Sequence, residues 1–378
     1  MAKKTEKKDT QPTKFNVLMF GSRRAGKSSI LASMIQSFEN LESSTENKIK
    51  LTALPDTAVL LERKRNQLQD IFNRKNRDAL CWTIDEGATD VSYDYEFRMT
   101  VEGSKNSYEI CFKDIPGEWI TTKESWIKDE LAQSQIILIA IDTPHLVEED
   151  GEHSDAFNII ENIDRLLQHI QSDKDVPRLI LFVPIKCEKY YHENRMDEVD
   201  EAIKTQYADL LTAFATGKKA QLYTVAITPI LSLGGVVFRD FARKEDGTVD
   251  VIEQFDSSNP SLYLRPKAAY YKLYAPDPEF KPQFCEQPVL YLLNFIMKQV
   301  TIIVKKAEKK SLLRRGGDVA IALVTVFFGG IPALLLLWKK IFSDKVFRQS
   351  ALKTVEHIKT TGDGYMLLQD PLGLQQAL

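Results

Sequence analysis

Short apolar runs alternate with segments of helical periodicity along the first two thirds of the chain. Unbroken apolar runs of five or six residues are typical of strands buried on both faces of a parallel sheet. Segments whose apolar residues recur every three or four positions are typical of helices that bury one face. We therefore predict an α/β fold with a doubly wound, mostly parallel sheet. The strand candidates are 15–20, 136–141, 179–183 and 222–227, and the helix candidates are 28–38, 56–76 and 156–170.

Two other segments alternate strictly between apolar and polar residues. They are residues 93–101 (YDYEFRMTV) and 108–115 (YEICFKDI). This period of two is typical of strands with one buried face. The polar sequence EGSKN at 102–106 lies between them and favours a turn. We predict an antiparallel hairpin at the edge of the sheet.

The rest of the chain divides by composition. Residues 229–288 are rich in proline, glycine, tyrosine and charge, and we interpret them as an irregular insertion in a domain that spans 15–300. A long apolar helix is predicted from about Pro288 onward. The remaining predicted segments are a disordered basic arm at 1–14, a basic linker helix at 301–317, a membrane segment at 318–340 and a tail at 341–378.

The membrane prediction rests on residues 319–338, which are twenty residues without a charge. At about 1.5 Å per residue, a helix of this length matches the hydrocarbon thickness of a bilayer. The sequence GGIP at 329–332 would break such a helix. A kinked single span and a shallow hairpin with both ends in the cytoplasm both remain open, as does a buried pair of core helices. Six basic residues within 305–315 and five within 339–353 flank the run, so charge favours neither side and both flanks would attract anionic lipid.

Composition narrows the function classes. The 378 residues carry 50 basic and 53 acidic side chains, a net charge of −3, and 43% of them are hydrophobic. These values exclude a disordered chain and a multispan membrane protein, and they give no electrostatic reason to expect a nucleic-acid partner. The four cysteines form no CxxC pair, which argues against a zinc site and favours a reducing compartment such as the cytoplasm.

The sequence between the first predicted strand and the first predicted helix carries a motif that binds phosphate in many proteins. It matches GxxxxGK[ST] without exception, in the strand–loop–helix context that this motif requires. Its backbone N–H groups and the helix N-terminus can surround phosphate oxygens, Lys27 can reach the β- and γ-phosphates, and the Ser28 hydroxyl can ligate Mg²⁺. The predicted nucleotide-binding residues here are Gly21, Ser22, Arg23, Arg24, Ala25, Gly26, Lys27, Ser28 and Ser29.

A second motif, DIPG at 114–117, ends the second strand of the predicted hairpin. Together with the phosphate loop and the hairpin, it resembles the P-loop GTPases of the translation-factor-like (TRAFAC) class, which includes Era- and septin-type proteins. The resemblance covers roughly residues 14–300. It implies that Asp114 holds Mg²⁺ through water and that the Gly117 N–H senses the γ-phosphate.

The same resemblance suggests two more catalytic residues. The class carries a switch threonine shortly before the hairpin, where Thr89 is best placed as a Mg²⁺ ligand and Thr83 is the alternative. Glu118 lies where small GTPases often have a glutamine that orients the attacking water. Its carboxylate either orients or deprotonates that water, or it is a solvated loop charge.

Base recognition in the class normally uses [NT]KxD after a buried strand. The corresponding residues here are Ile185, Lys186, Cys187 and Glu188. The Lys186 stem could lie over a purine, and Glu188 could accept hydrogen bonds from guanine although it is one methylene longer than aspartate. Ile185 replaces the amide or hydroxyl residue, so GTP is expected but ATP remains open. Ala226 falls at the position of the family's backbone contact to the base.

Arg24, the fourth residue of the phosphate loop, suggests a second resemblance. Guanylate-binding and atlastin-type GTPases have an arginine there, which implies that Arg24 stabilises the transition state when two G domains pair. The alternative is an arginine that faces solvent.

These observations predict a Mg²⁺-dependent, membrane-tethered GTPase with its G domain in the cytoplasm, acting as a nucleotide switch. The chain looks most like prokaryotic effector-associated GTPases, which implies a partner protein that no residue identifies. Two alternatives stay open: a nucleotide-dependent scaffold with little hydrolysis, and a soluble ATPase.

Overall fold

The computed structural model describes most of the chain in separate ranges. These are residues 14–22, 25–44, 49–73, 82–83, 91–168, 170, 177–241, 243, 245–247, 251–256, 259–266, 269–275, 280–309, 340–341, 343–361 and 366–372. Residues 1–13 of the arm predicted at 1–14, Arg23, Arg24, Thr89 and the apolar run 319–338 lie outside them, whereas Lys14, the last residue of the predicted arm, lies in a strand. Within these ranges, no helix is both long enough and apolar enough to cross a membrane.

An eight-stranded mixed sheet organises the molecule, in the order β13-β8-β7-β6-β1-β5-β4-β2. The five central strands, from β8 to β5, are parallel, and antiparallel strands close both edges. Its strands are β1 (Lys14–Phe20), β2 (Ile49–Ala53), β4 (Tyr93–Val101), β5 (Ser107–Asp114), β6 (Ile136–Asp142), β7 (Arg178–Ile185), β8 (Tyr223–Ile227) and β13 (Met366–Gln369). The predicted α/β class, its parallel core and its hairpin are confirmed.

Thirteen α-helices and one 3-10 helix (Glu148–Gly151) have described bounds, and the α-helices that pack on the sheet cover both of its faces. They are α1 (Lys27–Ser44), α2 (Pro55–Asn73), α3 (Trp119–Thr122), α4 (Glu124–Gln133), α5 (Thr143–Val147), α6 (Ser154–Asn158), α7 (Ile160–Gln168), α8 (Glu188–His192), α9 (Met196–Gln206), α10 (Ala208–Phe214), α11 (Lys219–Leu222), α12 (Gln287–Lys309) and α13 (Lys345–Thr361).

Two hydrophobic cores result, one on each face of the sheet. Because side chains alternate along a strand, Val17 and Met19 of β1 enter one core while Leu18 and Phe20 enter the other. The first core contains apolar residues of α1, α2, α12 and α13. The second contains those of α4, α7, α9 and α10. The sheet is therefore buried on both faces, as the unbroken apolar runs of its central strands require.

The region interpreted as an irregular insertion contains ordered strands. They are β9 (Val236–Phe241), β10 (Val251–Asp256), β11 (Asn259–Pro266) and β12 (Ala269–Leu273), and β3 (Trp82–Thr83) lies beside β12. β3, β12 and β9 form a small antiparallel sheet, and β10 pairs with β11.

The C-terminal residues belong to the α/β domain and do not form a separate tail. α13 packs on β2, β4 and α12, and β13 adds an antiparallel strand beside β8. The predicted domain limit at residue 300 therefore excluded one strand of the main sheet and one helix of its core.

A carboxylate just before α13 fastens this region to the β4–β5 hairpin. Asp344 Oδ2 accepts hydrogen bonds from Ser104 Oγ at 2.6 Å, Asn106 Nδ2 at 3.0 Å and Tyr108 Oη at 3.0 Å. Its Oδ1 accepts from the Phe347 N–H at 2.9 Å and so caps the helix. The ring of Tyr108 also packs on Phe347, with 4.3 Å between the ring centroids.

Candidate functional site

The loop after β1 requires glycine at both ends of its motif. Gly21 has a φ of +147°, and a Cβ there would lie 2.9 Å from the Ala140 carbonyl oxygen of β6. Gly26 has a φ of +107°, and a Cβ would lie 3.2 Å from Cδ1 of Ile185. A side chain at either position would strain the backbone; at Gly21 it would also collide with the backbone of β6, and at Gly26 it would press tightly on Ile185. The loop is therefore held against the carboxyl ends of β6 and β7, where ligands bind in doubly wound sheets.

Lys27, the first residue of α1, extends across its own loop. Its Nζ donates to the carbonyl oxygens of Gly21 and Ser22, both at 3.1 Å. The residue is only 7% exposed, and its Nζ lies 3.7 Å from Asp114 Oδ1. The ammonium group is thus fixed among oxygen atoms at the mouth of the loop, where it can contact the phosphates of a nucleotide.

Ser28 and Asp114 meet beside this lysine. Ser28 Oγ donates to Asp114 Oδ2 at 2.7 Å, which joins the start of α1 to the end of β5. Asp114 is 1% exposed, and its Oδ1 accepts no hydrogen bond within the described part of the chain. Magnesium prefers hard oxygen ligands such as a hydroxyl and a carboxylate. The buried, incompletely satisfied carboxylate and the adjacent hydroxyl therefore fit a Mg²⁺ ion.

Tyr95 of β4 adds a phenol to this cluster, and it has no counterpart in the motifs. Its hydroxyl lies beside that of Ser28. Burial, followed by the nearby charge of Asp114, raises the pKa of Tyr95 to about 12. The alternating pattern of β4 places Tyr95 on the buried face, but only the pairing of β4 with β5 brings it to the end of the strand that carries Asp114.

The chain turns directly into α3 after the second motif. The Gly117 carbonyl accepts from the Ile120 N–H at 3.2 Å, and Glu118 is half-buried immediately before the helix. The Thr121 and Thr122 hydroxyls donate to the Glu118 backbone carbonyl at 3.1 and 2.8 Å. These bonds fix the backbone at the position that follows the glycine.

The side chain of Lys186 points back to the neighbouring strand. Lys186 follows β7 with a φ of +57°, and its Nζ donates to Asp142 Oδ2 at 2.6 Å. Asp142 ends β6 and also contacts His145, whose Nδ1 lies 2.7 Å from Asp142 Oδ1. Burial alone would raise the pKa of Asp142, but the charges of Lys186 and His145 outweigh it and hold that pKa below its usual value. The same ion pair raises the pKa of Lys186 despite burial.

Glu188 is buried, with 2% of its surface exposed, and its Oε1 accepts from the Leu233 N–H at 3.0 Å. Burial raises the pKa of its carboxyl group. The side chain therefore faces the backbone of the loop that follows β8.

Ala226 lies inside β8, paired with Leu181 on one side and Leu367 on the other. It is fully buried, and the loop that follows the strand begins at Thr228. The edge of the sheet beside β7 is thus formed by this loop and not by Ala226.

The remaining predicted residues of the phosphate loop are placed in part. Ala25 and Ser29 are buried against the domain, and Ser22 is half-buried. Arg23, Arg24 and Thr89 lie outside the described residues, and of the alternative Thr83 only the backbone is described, in β3.

Motif spacing located Lys27, Ser28 and Asp114, but it gave no indication of Asp142 or Tyr95. A usable signal for Asp142 was its position as the first charge after an apolar run, since such a residue ends a buried parallel strand at the ligand-binding edge.

No curated protein shows significant similarity to the chain. Among solved structures, the GTP-bound Ski7 GTPase-like domain of S. cerevisiae is similar at 14% identity and a TM-score of 0.35, covering 65% of this chain and 47% of that one. The SRb-GTP/SRX complex of the signal recognition particle receptor from Chaetomium thermophilum is similar at 14% identity and a TM-score of 0.32, covering 59% and 92%. The LeoA bacterial dynamin GTPase from ETEC is similar at 16% identity and a TM-score of 0.27, covering 58% and 30%. The chain thus spans about half the length of the Ski7 domain chain.

The family comparison covers more of the sequence. Residues 17–227 match the Double-GTPase 2 family, and this range runs from β1 to the end of β8. It contains the phosphate loop, the Ser28–Asp114 cluster and the Lys186 region, and it is more than half of the chain. The chain belongs to the Double-GTPase 2 family of P-loop GTPases.

Proposed function

We propose that the chain binds GTP with Mg²⁺ and hydrolyses it. The observation that carries this proposal is the convergence of Lys27, Ser28 and Asp114 at the carboxyl ends of β1 and β5. Lys27 would neutralise developing phosphate charge, and Ser28 and Asp114 would hold the ion, whose charge would add to this neutralisation. By the family resemblance, Gly117 and Glu118 would lie on the γ-phosphate side, and Glu118 would orient the attacking water.

The test is nucleotide turnover by the purified full chain. The full chain is needed because α13 and β13 are part of the folded domain. We expect Mg²⁺-dependent GTP hydrolysis that Lys27→Ala lowers by about 100-fold or more, because a fixed cation at the transferring phosphoryl group is lost. Lys128→Ala, which removes a half-exposed lysine of α4, is the matched control. Background turnover with retained nucleotide binding would favour the alternative of a nucleotide-dependent scaffold.

The identity of the base deserves a parallel measurement with ATP. Ile185 packs on Gly26 where the class has a polar residue, and Lys186 is paired with Asp142. We propose GTP as the substrate on the strength of the family, and equal turnover of ATP and GTP would contradict that choice.

Membrane attachment through residues 319–338 is a further part of the proposal, supported by the sequence of that run and its basic flanks. Flotation of the full chain with vesicles that contain anionic lipid tests it. We expect the chain to float with the vesicles, and recovery of all of it at the bottom of the gradient would contradict attachment.

The remaining proposals concern partners. We propose that Arg24 acts on the transition state of a paired G domain and that the nucleotide state is transmitted to an effector protein. Arg24→Ala should then lower turnover only at protein concentrations that permit pairing. Equal turnover by the natural chain and by Arg24→Ala at a high protein concentration would exclude that role for Arg24.

A further inference from the structure

The loop after β8 is held in place by hydrogen bonds from three neighbouring segments. Ser33 Oγ of α1 donates to the Ser232 carbonyl at 3.2 Å, and His192 Nε2 of α8 donates to the Gly234 carbonyl at 2.8 Å. The backbones of Leu231 and Gln283 exchange hydrogen bonds of 3.0 and 3.1 Å. The loop is therefore a fixed wall of this edge of the sheet.

This wall borders the place where a base would bind. The Thr228 N–H donates to the Phe182 carbonyl and the Ile230 N–H to the Pro184 carbonyl, both at 2.9 Å. These bonds attach the loop to the end of β7, immediately before Ile185 and Lys186. The loop and the phosphate loop thus lie at the same carboxyl edge of the sheet, on which a nucleotide would lie.

The carboxylate of Glu188 stabilises this wall by hydrogen bonds to the backbone of the loop. Its Oε1 accepts from the Leu233 N–H at 3.0 Å, and the backbone N–H groups of Gly234 and of Glu188 itself also stabilise its charge. A carboxylate that recognises guanine must present two free oxygen atoms to the N1–H and N2–H groups of the base. The carboxylate of Glu188 is instead buried and directed to main-chain donors.

We propose that Glu188 is a positioning residue that holds the loop after β8 in the shape of the base pocket, and that it does not itself recognise guanine. Base selectivity then comes from the loop that Glu188 supports. The affinity measurements for this inference rest on the proposed nucleotide binding. The claim that Glu188 holds the loop in place does not depend on nucleotide.

The test compares Glu188→Gln and Glu188→Ala in the full chain. The glutamine amide oxygen can still accept from the Leu233 N–H, whereas alanine leaves that donor without its acceptor. The first measurement is amide hydrogen exchange at Leu233 and Gly234 without nucleotide. We expect exchange to rise about tenfold or more in Glu188→Ala and to stay within about threefold of the natural chain in Glu188→Gln.

The second measurement is the affinity for GTP and for xanthosine 5′-triphosphate. Glu188→Ala should weaken both by a similar factor, and Glu188→Gln should leave the ratio of the two affinities within about threefold. A residue that pairs with guanine would instead shift this ratio toward xanthosine by about 100-fold when its carboxylate becomes an amide.

The two measurements distinguish a positioning role of Glu188 from direct recognition of guanine. A shift of the ratio in Glu188→Gln, or unchanged exchange in Glu188→Ala, would overturn the proposal. If the natural chain binds neither nucleotide, the proposed function fails and the exchange measurement alone decides the role of Glu188. If Glu188→Ala does not fold, Glu188→Asp replaces it, because a side chain shorter by one methylene also withdraws the carboxylate from Leu233.

Discussion

At the scale of single residues, the candidate ion site is assembled from side chains that are distant in sequence. Ser28, Tyr95 and Asp114 come from α1, β4 and β5, and each contacts or faces another member of the group. The phosphate-loop and DxxG motifs predicted Ser28 and Asp114, because the residues of each motif are close together in the sequence. Tyr95 could not be found in that way, since it reaches the site only through the pairing of β4 with β5.

The phenol of Tyr95 yields a prediction about magnesium. Tyr95→Phe removes a hydroxyl that lies beside Ser28 and Asp114, and the loss of this polar group next to the ion site is worth about 1 kcal/mol. We expect the Mg²⁺ concentration for half-maximal GTP turnover to rise about three- to tenfold. Tyr93→Phe is the matched control, because Tyr93 lies on the same strand and is 37% exposed. The same Mg²⁺ midpoint for Tyr95→Phe and the natural chain would contradict this role.

Asp344 provides a second prediction, on stability. Asp344→Asn replaces one of the two carboxylate oxygens with an NH2 group, so the remaining oxygen cannot serve both the Phe347 N–H and the donors of Ser104, Asn106 and Tyr108, and we expect the free energy of unfolding to fall by about 1–3 kcal/mol. Urea unfolding measures this change in the free energy of unfolding. Asp129→Asn, a substitution of an exposed aspartate, is the control for the lost charge.

The same residue gives the stability a pH dependence of known sign. Burial opposes ionisation of Asp344, but its hydrogen bonds outweigh burial and lower the pKa below the ordinary value of 3.8. The stabilisation is therefore present above the unfolded pKa and is lost as the pH falls through the folded pKa. The difference between the natural chain and Asp344→Asn should shrink below about pH 4. A difference that stays constant from pH 7 to pH 3 would contradict this mechanism.

At the scale of elements, the sequence predicted the buried strands and failed at the edges. The central strands β6 and β7 contain unbroken apolar runs, so their burial on both faces is visible in the pattern. β2 (IKLTA) and β13 (MLLQ) are short and mixed, and their strand conformation depends on partners 40 or more residues away. The strands of the 229–288 region were also missed, although β10 pairs with β11 and β9 with β12 inside that region.

The edge strand β13 can be tested by truncation. Gln369 Nε2 donates to the Tyr223 carbonyl at 2.7 Å, and Leu367 and Leu368 pack against the two cores. Ending the chain before Met366 should lower the free energy of unfolding by about 2–4 kcal/mol, because these contacts and the ladder to β8 are lost. Denaturant titration measures the loss. Ending the chain after Leu372 keeps β13 and is the control, and equal stability of the two truncations would show that β13 contributes nothing.

At the scale of the whole molecule, one hydrophobic core joins the start of the range that matches the family to two helices that follow the end of that range. Residues of β1 and α1 share this core with Val289 of α12 and with Phe347 and Ala351 of α13. α12 also packs directly on α13. The composition of the chain could not show this, because it divides the sequence at residue 300, whereas the packing continues to Gln369.

This packing restricts how the chain can meet a membrane. Residues 310–339 begin after α12 and lead to α13, and both helices belong to the same folded body. A chain segment that starts and ends on one body must return to the side that it left, so it crosses a bilayer an even number of times. Two crossings need about 40 apolar residues, and the run 319–338 provides twenty. We therefore predict that, while α12 and α13 stay packed, a run inserted into the membrane enters one leaflet without crossing the bilayer.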